Sequence, residues 1–295
     1  MRTGASRTIS ACRSCAAPDL RIFLDLGLAP PSDAILTPEQ LDGPEPFFPL
    51  VVAVCKRCSL VQLLETVDPA ILFCEAYPYY SSVSETLLAH SAQNARELID
   101  RRELDADSLV VELASNDGYM LRNFAEAGIG VLGIDPAPGP VQVMREAGMQ
   151  ALCEFFDIDL ARRLRDEGRQ ADLIIANNVL AHVADTNGFV AGVRALMKDD
   201  AQAVFEFHYV RDLIEHCEFD TIYHEHLCYF SLTALMGLFE RHGLHVNEVR
   251  RLPIHGGSLR VYAGTASRPS DSVHQLLAEE KVLGMEDPQI GRAHV

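Results

Sequence analysis

A doubly wound α/β sheet preceded by a small metal-binding module is the fold this sequence predicts, and three observations carry the prediction. Four cysteines stand in two Cys-x-x-Cys knuckles, Cys12/Cys15 and Cys55/Cys58. From Leu109 to Asp135, an apolar run, a polar turn, a helical stretch and a second apolar run ending in an acid follow one another. Beyond Asp135, strand-like and helix-like stretches keep alternating, which is the pattern of a parallel sheet covered by helices.

The bulk composition sets the limits. The chain has 295 residues, 48% of them hydrophobic and 23% charged, as in ordinary globular domains. Its 25 Lys and Arg face 42 Asp and Glu, leaving a net charge of −17. That balance argues against nucleic acid or an anionic membrane as partner, since both require a basic surface. No stretch is long and apolar enough to span a bilayer, and Met1–Ser10 lacks the apolar core of a signal peptide. A cytoplasmic location is expected, where thiols stay reduced. The eight cysteines therefore read as ligands, reactive groups or core filler.

The first module spans residues 1–68. A tetrahedral zinc ion needs four ligands, and each knuckle offers two thiolates from one tight turn. Arg13, Lys56 and Arg57 are placed to offset the negative tetrathiolate. With four protein ligands the zinc site is structural, because no coordination position stays open. The spacer between the knuckles holds Pro30-Pro31, a helix start at Thr37-Pro38-Glu39-Gln40 and a strand near Phe47 to Val54. Cys74, Cys153, Cys217 and Cys228 are scattered and are expected as small buried hydrophobes.

Residues 69–100 form a helical linker. Tyr77-Pro78-Tyr79-Tyr80-Ser81-Ser82 precedes Ser84, which opens a helix over 85–102. From composition alone the tyrosines read as packing rather than as a lid over a cleft.

Residues 101–266 carry the alternating unit. Leu109, Val110, Val111 and Leu113 form the apolar run of a doubly covered strand. Ser115-Asn116-Asp117-Gly118 is the turn, and Asp135 closes the second strand at roughly the spacing of a nucleotide-binding βαβ unit, whose acid takes ribose hydroxyls. A helix over 141–146, a strand over 150–153 and a helix over 158–165 follow. Next come the strand Asp172–Ala176, a helix over 187–198, the strand Ala203–Phe207 and a helix over 231–242. His245–Leu252 and Ser258–Tyr262 are two final strands, antiparallel across a Gly-Gly turn.

Ligands of such sheets lie beyond the strands' carboxyl ends. The turn has one glycine, Gly118, where a pyrophosphate-binding turn wants three. It suits S-adenosylmethionine better than NAD, because an acidic cleft (Glu112, Asp117) tolerates a sulfonium. An NAD-dependent sugar-nucleotide oxidoreductase or epimerase is the competing reading. Asp220-Thr221-Ile222-Tyr223-His224-Glu225-His226 lacks the i, i+4 spacing of a helical metal motif and reads as a proton-transfer cluster or a polar turn. A histidine oriented by a carboxylate would titrate near neutrality. His255-Gly256-Gly257-Ser258-Leu259-Arg260 fits a plain hairpin and a phosphate site equally.

Taken together, these stretches resemble the sugar C-methyltransferases of deoxysugar biosynthesis, class I S-adenosylmethionine-dependent enzymes with an N-terminal zinc-binding domain. The resemblance covers nearly the whole chain. It rests on the two knuckles, Asp25–Ser32, Tyr77–Ser82, Glu112–Gly118, Asn177–His182, Phe205–His208, Tyr223–His226 and His255–Ser258.

It implies a Rossmann-like methyltransferase sheet and structural zinc. The implied substrate is a nucleotide-linked 4-keto-deoxysugar, thymidine diphosphate-linked, methylated at the carbon beside the ketone through an enolate. By analogy His226 is the base, oriented by Glu225, with Tyr223, Tyr77 and His182 as further catalytic candidates. Cofactor contacts fall to Glu112, Ala114, Asn116, Gly118, Asp135, Phe156 and Asn178. In this light the tyrosine loop becomes a lid. A monomer is the expectation. Family members continue for roughly another hundred residues as a further domain. Residues 267–295 are thus expected to begin a truncated C-terminal domain, in a chain that binds cofactor yet turns over poorly or is inactive.

Overall fold

The computed structural model describes residues 5–72 and 79–286. Tyr77 and Cys74, singled out from the sequence, lie outside the described residues.

The N-terminal part contains β1 (Ser6–Thr8), β2 (Leu20–Ala29), β3 (Phe48–Cys55), β4 (Val61–Leu63), β5 (Glu65–Val67) and the single turn α1 (Pro69–Leu72). Alternation in the first of the long strands leaves Ile22, Leu26 and Leu28 exposed, whereas Leu50, Val52 and Val54 of β3 are buried. Helix α2 (Glu85–Arg102) begins as expected, with the Ser84 hydroxyl accepting from the Leu87 amide at 3.3 Å.

The alternating unit then runs β6 (Leu109–Leu113), α3 (Arg122–Glu126), β7 (Gly130–Asp135), α4 (Pro138–Glu146), β8 (Gln150–Cys153), α5 (Ile158–Asp166) and β9 (Ala171–Asn177). It continues through α6 (Thr186–Leu196), β10 (Met197–His208), α7 (Val210–His216), β11 (Cys228–Tyr229), α8 (Leu232–Glu240), β12 (His245–Leu252), β13 (Ser258–Gly264) and α9 (Asp271–Val282). Aspartates cap two of the helices: Asp157 accepts from Asp159 and Leu160 at the start of α5, and Asp185 from Gly188 in α6.

The large sheet has seven strands in the order β12-β13-β10-β9-β6-β7-β8. It is parallel except that β13 inserts between β10 and β12, antiparallel to both. The strand pair expected at the chain's end is therefore present, and its second member closes onto β10 rather than forming the edge. Each strand feeds both faces. Val111, Leu113, Ile174 and Phe205 pack with α5, α6 and α8; Val110, Leu173, Ile175 and Val204 pack with α2, α3 and Met144 of α4.

The zinc-module sheet, β11-β4-β3-β2, takes its edge strand β11 from within the alternating unit, between α7 and α8. Cys12, Cys55, Leu60, Leu227 and Cys228 join the core of the large sheet without a break. Two expectations change on burial. Cys228 is buried, but Cys153 is half-buried and Cys217 is exposed, at the C-terminus of α7 with φ +56°. The helix expected to reach Lys198 stops at Leu196, because β10 starts at Met197.

Candidate active site

The zinc ligands assemble from two near-identical turns. The Ala16 amide bonds the Cys12 carbonyl at 2.9 Å, and the Ser59 amide bonds the Cys55 carbonyl at 2.9 Å. Both turns pass through a residue of positive φ, Ala16 and Ser59. The four sulfurs lie within 4.8 Å of one another, with Cys12–Cys58 at 3.6 Å and Cys15–Cys55 at 3.5 Å. Tetrahedral zinc–thiolate bonds of about 2.3 Å place sulfurs roughly 3.8 Å apart, so the set fits the ion. The Gln62 side-chain amide donates to Cys12 Sγ at 3.2 Å, and the Arg57 amide to Cys55 Sγ at 3.4 Å. Arg13 does less than its position suggested, because its guanidinium donates to Thr66 Oγ1 and the Leu63 carbonyl.

A cleft of about 750 Å³ opens beyond the carboxyl ends of the parallel strands. At one end lie Ala114, Asn116, Asp135, Phe156 and Asn178; at the other lie His182, Tyr223, Glu225 and His226. Backbone strain builds the first end: Ala114, Asn116 and Asn178 all adopt positive φ, 56°, 49° and 52°. Asp135 accepts from the amides of Asn116 (2.9 Å) and Ala137 (2.8 Å).

Glu112 and Gly118 do not line the cleft. Glu112 is fully buried beneath it, both its oxygens without a hydrogen-bond partner, and burial with Asp135 and Asp117 nearby holds the carboxyl well above its usual range. Gly118 sits at φ +77°, a conformation that favours glycine, and a Cβ there would push the Met149 methyl, 2.5 Å away. The cleft's acidity thus comes from other residues than the two expected, among them Asp33, Asp135, Glu154 and Asp185.

The tyrosine segment reaches the turn. The Ser81 amide bonds Asn116 Oδ1 at 2.9 Å, the Asn116 side-chain amide bonds the Tyr79 carbonyl at 3.1 Å, and the Ser82 amide bonds Asp117 Oδ2 at 3.2 Å.

The second end is a histidine cluster. His226 Nδ1 lies 2.8 Å from the Thr221 carbonyl, which can only accept, so Nδ1 carries the proton. His226 Nε2 accepts from the Tyr223 hydroxyl at 2.8 Å. Ring centroids of His182 and His208 lie 4.8 and 5.3 Å from that of His226, and His255 lies 5.4 Å from His208. Glu225 therefore does not orient His226; the Thr221 carbonyl does. Nor does His226 titrate near neutrality: burial, then His182, pulls it down to about 3. Burial likewise lowers His182 to about 4 and His208 to about 3.

The Gly-Gly turn is no phosphate site. A Cβ at Gly257 (φ +147°) would strike the Asp212 carboxylate at 2.4 Å, and Arg260 is buried in an ion pair with Glu206 at 2.7 Å, beside His90. Asp33, Tyr119, Thr221 and His255 also border the cleft without having been read as site residues. Of these, Thr221 lay within the Asp220–His226 cluster and His255 beside its glycine turn; Asp33 and Tyr119 had no signal of their own.

Comparison with known proteins gives the family. A family described as "Putative zinc binding domain" matches residues 12–73, and one described as "Methyltransferase domain" matches residues 87–249. The C-methyltransferase NovU of Streptomyces niveus is 34% identical over 282 residues, covering 95% of this chain and 67% of that protein. The chain belongs to this C-methyltransferase family.

The ubiquinone biosynthesis O-methyltransferase of Azorhizobium caulinodans is 29% identical over 112 residues, covering 37% of this chain and 42% of that one. The PH0226 protein of Pyrococcus horikoshii OT3 is similar to this chain with a TM-score of 0.49 and 15% identity, covering 63% of this chain and 94% of that one. The C-methyltransferase is S-adenosylmethionine-dependent and has a four-cysteine zinc site, which sets the NAD reading aside. Its residues fit the methyl donor: Asn177 Oδ1 and Asn178 Oδ1, on two cleft-lining residues at the end of β9, are buried without partners. Among the described residues no helix is long and apolar enough to cross a membrane.

Proposed function

We propose that this C-methyltransferase methylates a nucleotide-linked 4-keto-deoxysugar, thymidine diphosphate-linked, at the carbon beside the ketone, and so serves deoxysugar biosynthesis. The observation that carries the reading is the pairing of Tyr223 with His226 Nε2 in a cleft shared with Asp135, Asn116 and Phe156. Ala114, Asn116, Asp135, Phe156 and Asn178 would hold S-adenosylmethionine from the cleft wall, with Glu112 and Gly118 shaping the turn from beneath. When bound, it supplies an electrophilic methyl group on a positively charged sulfur.

The chain's own residues prepare the nucleophile. Thr221 fixes the His226 tautomer, leaving the Nε2 lone pair toward the cleft. A substrate carbon that displaces the Tyr223 hydroxyl from Nε2 gives up its proton there, and the C–H electron pair passes into the enolate. The freed hydroxyl can then donate to the enolate oxygen. Burial, then Glu225 and Asp33, raises the Tyr223 pKa, so it stays a neutral donor. His182, 4.8 Å from His226 between ring centroids, stays neutral and can share the enolate or the proton. Tyr77 is a further candidate from the sequence.

The test is transfer of labelled methyl from S-adenosylmethionine to thymidine diphosphate-linked 4-keto-6-deoxyglucose. His226→Asn should lower kcat by about 10²–10⁴ while S-adenosylhomocysteine affinity, measured by calorimetry, stays within about twofold, since the base lies outside the cofactor wall. Undiminished turnover in His226→Asn would remove the base assignment.

A further inference from the structure

The zinc module does more than pack against the sheet: it sends a carboxylate into the cleft. Asp33 lies between β2 and β3 and lines the same cavity as Tyr223, Glu225 and His226. Glu225 is only 3% exposed, and its Oε1 has no hydrogen-bond partner, although it too borders the cavity. Its near neighbours are Asp33 and Ser32 of the zinc module. A buried carboxylate oxygen without a donor is costly, and two carboxylates side by side cannot both stay charged.

We propose that Asp33 and Glu225 form a shared-proton carboxyl pair that positions the substrate by bonding one hydroxyl of its sugar ring, accepting with one oxygen and donating through the shared proton. The pair rests on the keto-sugar reading above and gives the zinc module a direct part in substrate selection. His226 is occupied by Thr221 and Tyr223, so Glu225 is free for this task.

The protonation state follows from the surroundings. Burial first, then Asp33, pushes Glu225 up to about 8. The other titratable groups of this end are Tyr79, Asp220, Tyr223, His182, His208, His226 and His255. Tyr223 stays neutral near pH 8, and the lowered histidines already are. At pH 7 Glu225 holds the proton; above about pH 8 it loses that proton and with it the donor.

Two measurements on the full chain test this. Infrared titration should show a protonated-carboxyl band that disappears near pH 8, is missing from Glu225→Gln, and moves to lower pH in Asp33→Asn. Absence of that band from the wild-type protein overturns the pair, whatever the substrate. With the keto-sugar nucleotide, Asp33→Asn should raise KM at least tenfold, lower kcat less, and flatten the fall of kcat/KM above pH 8 seen in the wild-type enzyme. Affinities for S-adenosylmethionine and S-adenosylhomocysteine should stay within twofold.

An unchanged KM and pH profile in Asp33→Asn overturns the positioning role. Weaker S-adenosylmethionine binding with normal S-adenosylhomocysteine binding also overturns it, by assigning the pair to the sulfonium. A wild-type enzyme that shows the infrared band but methylates no keto-sugar nucleotide overturns the substrate reading, and the sugar-positioning role with it.

Discussion

His182, His208 and His226 are neutral rings packed against one another at the end of the sheet, and their protonation is where chemistry and stability meet. Burial and mutual proximity lower them to about 4, 3 and 3. The proposed base, His226, already neutral throughout the working range, gives no acidic inflection near 6.5, so kcat/KM should stay flat from pH 6 to pH 7.5; an inflection near 6.5 would assign the base to a solvated histidine. Stability carries the opposite signature. Unfolded, each ring takes up a proton below about pH 6.5, whereas the folded ring does not. The folded state therefore loses ground as pH falls from about 6.5 toward the lowered values, by up to about 1.4 kcal/mol per pH unit for each ring. Glu112, Asp135 and Glu225, all raised, oppose this in part. The clean measurement is the difference: urea midpoints should fall less steeply between pH 6.5 and 4.5 in His208→Asn than in the wild-type protein.

At the scale of elements, helix α9 is the instructive case. Its Glu280 is buried and accepts from the amides of Leu232 (2.7 Å) and Thr233 (2.8 Å), the Thr233 hydroxyl (2.6 Å) and the Tyr209 hydroxyl (2.7 Å). It thereby serves the open N-terminus of α8, alongside the Ser231 cap, which accepts from the Ala234 amide at 3.1 Å. A helix read from the sequence as the start of a further domain is thus tied to the methyltransferase sheet. Glu280→Ala leaves buried donors without an acceptor and should cost about 2–4 kcal/mol, with Glu280→Gln losing less. Thermal unfolding of the two variants checks it; equal midpoints for wild type and Glu280→Ala would show that the cap contributes nothing.

The whole molecule is held together by a strand exchange across its length. β11 follows directly on Tyr223–His226 and pairs with β4, while the Leu63 amide bonds the Leu227 carbonyl at 2.9 Å. The first knuckle is tied down as well: the Thr186 hydroxyl and the Asn187 side chain donate to the Arg13 carbonyl, and Arg241 donates to Ser14. Removing zinc should therefore reach the proposed base, His226. Chelation, or Cys55→Ser, is expected to cost at least about 3 kcal/mol, lowering Tm by roughly 6–12 °C, and to depress methyl transfer along with it. An unchanged Tm after metal analysis confirms zinc loss would separate the module from the site.

Much of this was legible in the residues. Continuous apolar runs such as Val110–Leu113, punctuated by capping and turn residues, specify doubly covered strands and the helices between them, because burial of both faces leaves no other pattern. Paired Cys-x-x-Cys turns specify a four-sulfur cluster for a similar reason: each turn can present only two thiolates to one ion. His226 and Asp135 stood out by residue type and spacing. Tertiary structure alone decided that Thr221, not Glu225, orients His226, and that Arg260 is spent on Glu206. It alone decided, too, that Asp33 reaches Glu225 from a strand connection far away in sequence. Those outcomes depend on which buried polar groups find one another across the core, and a backbone carbonyl or a distant carboxylate leaves no periodic trace in the chain.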